Sequence, residues 1–234
     1  VLASAKVYSA SLGTWSNASN SMSDTKLDFT STLLDNGKVL VVGGTGDGGA
    51  VRTSCDLYDQ SSKTFTATGS LTTGRFAHTA TKLSNGKVLI VGGFNGGSSH
   101  DGVAYSSSST TATCELYDPS SGTFSAVGSL QKSRGHHTAN LLSDGRVLIT
   151  GGFDGTNYLS STEIYDPSTN TFSYGPSLSL TRRNHRAITL SNNKILIVGG
   201  RTASGVYTDT AEFVNVGAAS ISSILPTSSS NKYK

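Results

Sequence analysis

The motif richest in chemistry is Arg-x-x-His, which occurs as Arg75/His78, Arg134/His137 and Arg182/His185. A partial copy runs from Lys26 to Phe29, keeping the cation and losing the imidazole. Imidazole is a metal ligand and a general base near neutral pH. Guanidinium is a forked donor matched to carboxylate and sulfate. A zinc site would need several His nitrogens at about 2.0–2.1 Å from one ion, yet these imidazoles recur at one equivalent place in successive units. A group used once per unit is better explained as a hydrogen bond to its surroundings, since buried polar groups are almost always paired. No metal and no cofactor is expected. His100 and His136 stand outside the repeated place and have no partner motif.

The remaining reactive side chains are sparse. Cys55 and Cys114 occupy the same place in successive units, where other copies have Ala5, Thr162 and Ala211. Small residues there imply a tight interior position, so free buried thiols are expected. A disulfide would need the two Cα atoms within about 7 Å across neighbouring units. Asn17-Ala18-Ser19 fits a glycosylation acceptor, a pattern short enough to arise by chance. No unit carries a constellation of its own, so no catalytic residue is assigned and the chain is not expected to be an enzyme.

The elements that position these residues follow from composition and repetition. The chain has 234 residues, 14% of them charged, with a net charge of +3 and no Lys/Arg cluster of the kind that neutralises phosphates. Nucleic acid is therefore excluded as an expected partner. No apolar stretch is long enough for a membrane span, so no membrane insertion is expected. The chain begins with Val, which reads as a processed or excised piece. Its Ser/Thr-rich composition places the expected location outside the cell or on its surface.

Four strings share one template: VLVVGG (39–44), VLIVGG (88–93), VLITGG (147–152) and ILIVGG (195–200). Their glycine pairs, Gly43-Gly44, Gly92-Gly93, Gly151-Gly152 and Gly199-Gly200, are separated by steps of 49, 59 and 48 residues, a repeat of propeller length. Each unit reads as four short strands. An alternating segment comes first, such as RFAHTATKL (75–83). A turn at Asn36-Gly37, Asn85-Gly86, Asp144-Gly145 or Asn192-Asn193 follows, read as a two-residue type I′ hairpin. The apolar run is the second strand, continuous because both its faces are to be covered. The third is AKVY (5–8), CDLY (55–58), CELY (114–117), TEIY (162–165) or AEFV (211–214). The fourth opens on Thr and an aromatic: Trp15, Phe65, Phe124 or Phe172.

The glycine doublet, the third-strand Tyr58, Tyr117 and Tyr165, and the aromatic that follows each resemble the kelch motif over roughly residues 5–214. The resemblance implies an all-β, kelch-type β-propeller of four-stranded antiparallel blades, the first strand innermost, about four blades being covered. The expected division is a partial blade at 1–22, full blades at 23–70, 71–129 and 130–177, and a partial blade at 178–216. Residues 217–234 read as a C-terminal tail or linker. Joining the two ends would build one composite blade and leave the strand near 211–215 surplus. The arc is thus read as a fragment of a larger ring, a four-bladed ring closed by its own termini, or an arc that self-associates through open blade edges.

The resemblance also places one set of loops on a common face used for binding. Arg75, Arg134 and Arg182 would then sit near the channel mouth, where a carboxylate would meet several forks at once. Like charges about 10 Å apart in water repel by only about 0.4 kcal/mol, so such a ring is tolerable. The alternative has each arginine lying over its blade against an aromatic. The loops after the glycine pairs add Asp47, Asn95, Asp154 and Arg201, and the longer loop between Gly93 and Cys114 adds His100 and Tyr105. The expected function is a non-catalytic binding or scaffold module for a protein segment or glycan. The alternatives are a piece of an oxidase similar to galactose oxidase or of another sugar-processing propeller, and a structural surface or fibre block.

Overall fold

The computed structural model describes residues 2–96, 109–191, 194–202, 206–215 and 220–224. Strands β1 (Lys6–Ser9) and β2 (Thr14–Asn17) form a separate hairpin. The first blade is β3 (Thr30–Leu33), β4 (Val39–Val42), β5 (Cys55–Asp59) and β6 (Thr64–Ala67). The second is β7 (Thr79–Lys82), β8 (Val88–Val91), β9 (Cys114–Asp118) and β10 (Thr123–Ala126). The third is β11 (Thr138–Leu141), β12 (Val147–Thr150), β13 (Thr162–Asp166) and β14 (Thr171–Tyr174). The fourth is β15 (Arg186–Thr189), β16 (Lys194–Val198), β17 (Ala211–Asn215) and β18 (Ser220–Ile224). In every blade the strands lie in sequence order and pair antiparallel.

Each second strand is apolar, but for Thr150 in β12 and Lys194 in β16, because alternate side chains serve two interfaces. Leu40 and Val42 face forward with Cys55 and meet Val88, Ile90 and Tyr117 of the next blade. Leu89, Val91 and Cys114 meet Val147, Ile149 and Tyr165 in the same way, and Leu148 meets Ile195, Ile197 and Val214. Burying one such side chain is worth about 1.5–3 kcal/mol, so each interface can hold its two blades together. Tyr58, Tyr117 and Tyr165 each pack on the ring opposite, Phe65, Phe124 and Phe172, with centroids 4.9, 4.8 and 5.0 Å apart.

The glycine doublet marks where two blades meet. Gly92 and Gly93 have φ of +57° and +98°, a region that side chains rarely tolerate. Gly93 N–H donates to the carbonyl of Arg134 in the next blade at 2.8 Å, and a Cβ on Gly92 would lie 2.5 Å from that oxygen. The same contact recurs as Gly44 to Arg75 and Gly152 to Arg182.

Three expectations are corrected. The hairpin turns are not two-residue type I′: at the first, Gly37 N–H donates to Leu34 C=O and Leu34 N–H to Lys38 C=O, with positive φ at Gly37 and not at Asn36. That is a three-residue loop, a type I turn closed by a left-handed glycine. Asn192-Asn193 lies outside the described residues. Second, the stretch from 217 onward is not all tail, because β18 pairs with β17 along its length and completes the fourth blade. Third, β17 is not surplus, since it takes the place beside β16 that a composite blade would have given to β1. The first strands stand side by side in the order β3, β7, β11, β15, and among the described residues the sheets are not closed into a ring.

Candidate ligand-recognition face

The repeated arginines are internal. Arg75, Arg134 and Arg182 are all 0% exposed. Arg134 donates through Nη1 to the carbonyls of Gly151 and Ser161 at 2.9 and 2.8 Å, and through Nη2 to Glu163 Oε1 at 2.7 Å. Arg75 makes the same set with Gly92, Thr113 and Glu115, and Arg182 ion-pairs with Glu212 at 2.9 Å. In the first blade a shorter cation meets a shorter acid, Lys26 and Asp56, 3.8 Å apart. Burial pulls the pKa of Lys26, Arg75 and Arg134 downward, opposed by the facing carboxylate. The arginines are therefore neither donors at the channel mouth nor caps over an aromatic ring. They fasten the glycine corner to the third strand of their own blade.

The histidines also serve the frame. His78, His137 and His185 each share a hydrogen bond of 2.9 Å, through Nε2, with the hydroxyl of a preceding blade's first strand: Thr30, Thr79 and Thr138. Cys55 and Cys114 are free and buried, and burial pushes their thiols up to about 11 and about 12. Among the described residues no group of three His, Cys, Asp or Glu side chains comes together as a metal ion would require. Nor, among them, is any helix long and apolar enough to cross a membrane.

The loop residues fare differently. Asp47 is exposed in a short 3-10 turn, Asp47–Gly49, and accepts from the Thr25 hydroxyl at 3.2 Å. Asn95 is exposed, its N–H donating to Ser109 C=O. Asp154 closes its own turn through the N–H groups of Thr156 and Asn157 and pairs with Lys132 Nζ at 3.0 Å. Arg201 bridges Arg183 and Tyr207 through backbone pairing. His100 and Tyr105 lie outside the described residues.

Above each glycine pair a three-rung extension carries the sheet onto the loop face. It links Leu27, Thr45 and Val51; Phe76, Phe94 and Thr110; Gly135, Phe153 and Tyr158; and Arg183, Arg201 and Tyr207. Inside this collar Asp28, Ala77, His136 and Asn184 all have positive φ, from 49° to 54°. Their backbones form a relay along the arc: Ala77 N–H to Asp28 C=O, His136 to Ala77, Asn184 to His136. The frame thus repeats while the side chains it presents do not.

Those side chains assemble over the last two blades. The Arg183 guanidinium lies 4.9 Å from the centroids of both Phe153 and Tyr158. The His136 ring packs at 5.3 Å on buried Phe94, and its Nδ1 lies 3.3 Å from Asn184 Nδ2. Burial and the nearby Arg183 push His136 down to about 4, so it is neutral at physiological pH. Tyr207 is 81% exposed beside Arg201. Arg183, His136, Phe153, Tyr158 and Tyr207 are the residues that reasoning from sequence missed. The available signal was variation: the two positions after each repeated cation read Leu27-Asp28, Phe76-Ala77, Gly135-His136 and Arg183-Asn184, unlike in kind from unit to unit.

The KLHDC2/KLHL20/DRC7 Kelch-repeats domain matches residues 28–217 of this sequence. The chain belongs to the kelch-repeat family. No curated protein matches it significantly. Kelch domains are, in general, repeat-type binding or scaffold modules, and a kelch frame explains why the repeated charges are interior: they maintain a corner that every blade needs. Variation is left to the collar above it.

Proposed function

We propose that this kelch chain is a non-catalytic recognition module that binds an extended, acidic protein segment on the loop face of its third and fourth blades. The observation that carries the reading is Arg183 held between Phe153 and Tyr158, with Arg201 and Tyr207 on the adjoining rungs. Stacking on the two rings orients the planar guanidinium, whose geometry matches a carboxylate. Arg and Tyr are also the residue types that dominate binding energy at protein interfaces. A glycan is the second reading, favoured by exposed Tyr207 on the same face.

Selection of binders from a random peptide library against the intact chain tests this. Selected peptides are expected to be rich in Asp and Glu and to lose about tenfold or more in affinity against Arg183→Ala, the worth of one charge-assisted hydrogen bond. Asp35→Ala, beside the hairpin turn at the far end of the first blade, should leave affinity unchanged. Binders indifferent to Arg183 and Tyr158 would count against the assignment, and selection of glycans alone would favour the second reading.

A further inference from the structure

Asn-Gly occurs three times in the chain, at Asn36, Asn85 and Asn95. The pair is chemically labile, because glycine puts no side chain in the way when its backbone nitrogen approaches the preceding side-chain amide. The glycine nitrogen attacks Cγ of the asparagine and a C–N bond forms. The Cγ–Nδ2 bond breaks, and ammonia leaves with the proton that the glycine N–H gave up. Water then opens the cyclic imide at either carbonyl, leaving aspartate or isoaspartate. Nothing but water is consumed, so the folded structure decides which of the three pairs reacts.

Two of them are tied down. Gly37 N–H donates to Leu34 C=O at 3.1 Å, and Asn36 Oδ1 accepts from Lys38 N–H at 3.1 Å. Asn85 repeats the arrangement: Gly86 N–H donates to Leu83 C=O at 3.0 Å, and Asn85 Oδ1 accepts from Lys87 N–H at 3.1 Å. The attacking nitrogen and the amide under attack are both engaged, and the positive φ of Gly37 and Gly86 fixes the turn around them. Reaction there requires the turn to open first.

Asn95 is held differently. Its own N–H donates to Ser109 C=O at 2.6 Å, which anchors the residue but not the bond that must rearrange. Among the described residues Gly96 N–H makes no hydrogen bond and the Asn95 side chain has no partner. That side chain is exposed, and a Cβ placed on Gly96 would touch only Ser109 among those residues, at 3.9 Å. Both reacting groups thus have room to approach. The place also accepts a carboxylate, since Phe153-Asp154-Gly155 is the same turn one blade on. There Asp154 pairs with Lys132 at 3.0 Å, whereas Thr73 stands at the corresponding place in the second blade. A carboxylate at 95 would meet no cation from that place, beside Phe94, on whose ring His136 packs.

We propose that Asn95 is a self-modifying position on the loop face. It converts through the cyclic imide to aspartate and isoaspartate while Asn36 and Asn85 persist, which lowers the chain's net charge of +3 by one. The intact chain is incubated at mildly alkaline pH, and digested samples are read by mass spectrometry at residues 36, 85 and 95. Asn95 should convert about tenfold faster than the other two or more, which is the worth of two turn hydrogen bonds expressed as a rate. In concentrated urea, where the turns are lost, the three rates should converge. The inference is overturned if Asn36 or Asn85 keeps pace with Asn95 in the folded chain, or if Asn95 stays intact there. A lead for Asn95 that survives unchanged in urea also overturns it, because local sequence and not the fold would then set the rate.

Discussion

Arg134→Met should destabilise the chain by about 3–5 kcal/mol, the cost of breaking a buried ion pair from one side. Glu163 is 0% exposed and would keep only the backbone N–H groups of Gln131 and Lys132, at 2.7 and 3.1 Å. The carbonyls of Gly151 and Ser161 would lose their donor inside the same corner. For a chain of this length the melting temperature should fall by about 10 °C. The double variant Arg134→Met, Glu163→Leu should recover much of the loss, because removing both charges also removes their desolvation cost. Chemical denaturation of the single and double variants measures both effects. A loss below about 1 kcal/mol in the single variant would place Arg134 in the surface class instead.

The second large effect is a loss of stability in mild acid. His78 is pushed down to about 3 and His185 to about 4, and His137 lies well below its ordinary 6.5. Burial is the main cause in each, followed by the arginine of the same motif. The folded chain keeps these rings neutral, whereas the unfolded chain protonates them near 6.5. Protons thus favour the unfolded state: the stabilisation is complete above about pH 6.5 and is lost as pH falls toward the folded values. The slope approaches about 1.4 kcal/mol per pH unit for each histidine, against a total stability on the order of 5–15 kcal/mol. Urea midpoints should therefore drop steeply between pH 7 and pH 5. His136, also pushed down to about 4, adds to the same slope, so His137→Gln, with an amide to meet Thr79, should flatten it by about a quarter. The carboxylates do not confuse this window. Asp59 is held down to about 2 by the Ser61 hydroxyl and N–H, so its contribution is lost only as pH falls below its ordinary 3.8. A midpoint that is level from pH 7 to pH 5 would contradict the account.

The sequence announced the frame because the frame repeats. Val88, Leu89, Ile90 and Val91 had to face two interfaces, and Gly92-Gly93 had to admit the next blade's backbone. β18 was missed because Ser220–Ile224 has Ile221 at the place where the other fourth strands carry an aromatic, and its pairing comes from β17 rather than from a pattern of its own. The arginines were misplaced for a related reason. Their position at the head of the innermost strand was legible, while their partners lie in the third strand, distant in sequence. The clue was the match of size, Lys26 with Asp56 and Arg with Glu elsewhere. The collar was illegible for the opposite reason. Arg183, Phe153 and Tyr158 come together only once the corners are folded, and no periodicity marks a residue chosen for being different.

The division between repeated charges that hold the fold and variable side chains that face a ligand is tested most directly by arginine modification. The native chain would be treated with a dicarbonyl reagent and the modified positions read by mass spectrometry. Arg75, Arg134 and Arg182, each 0% exposed, should remain unmodified while exposed Arg186 reacts. Reaction of the three buried arginines as fast as Arg186 would show that they stand open to a ligand after all.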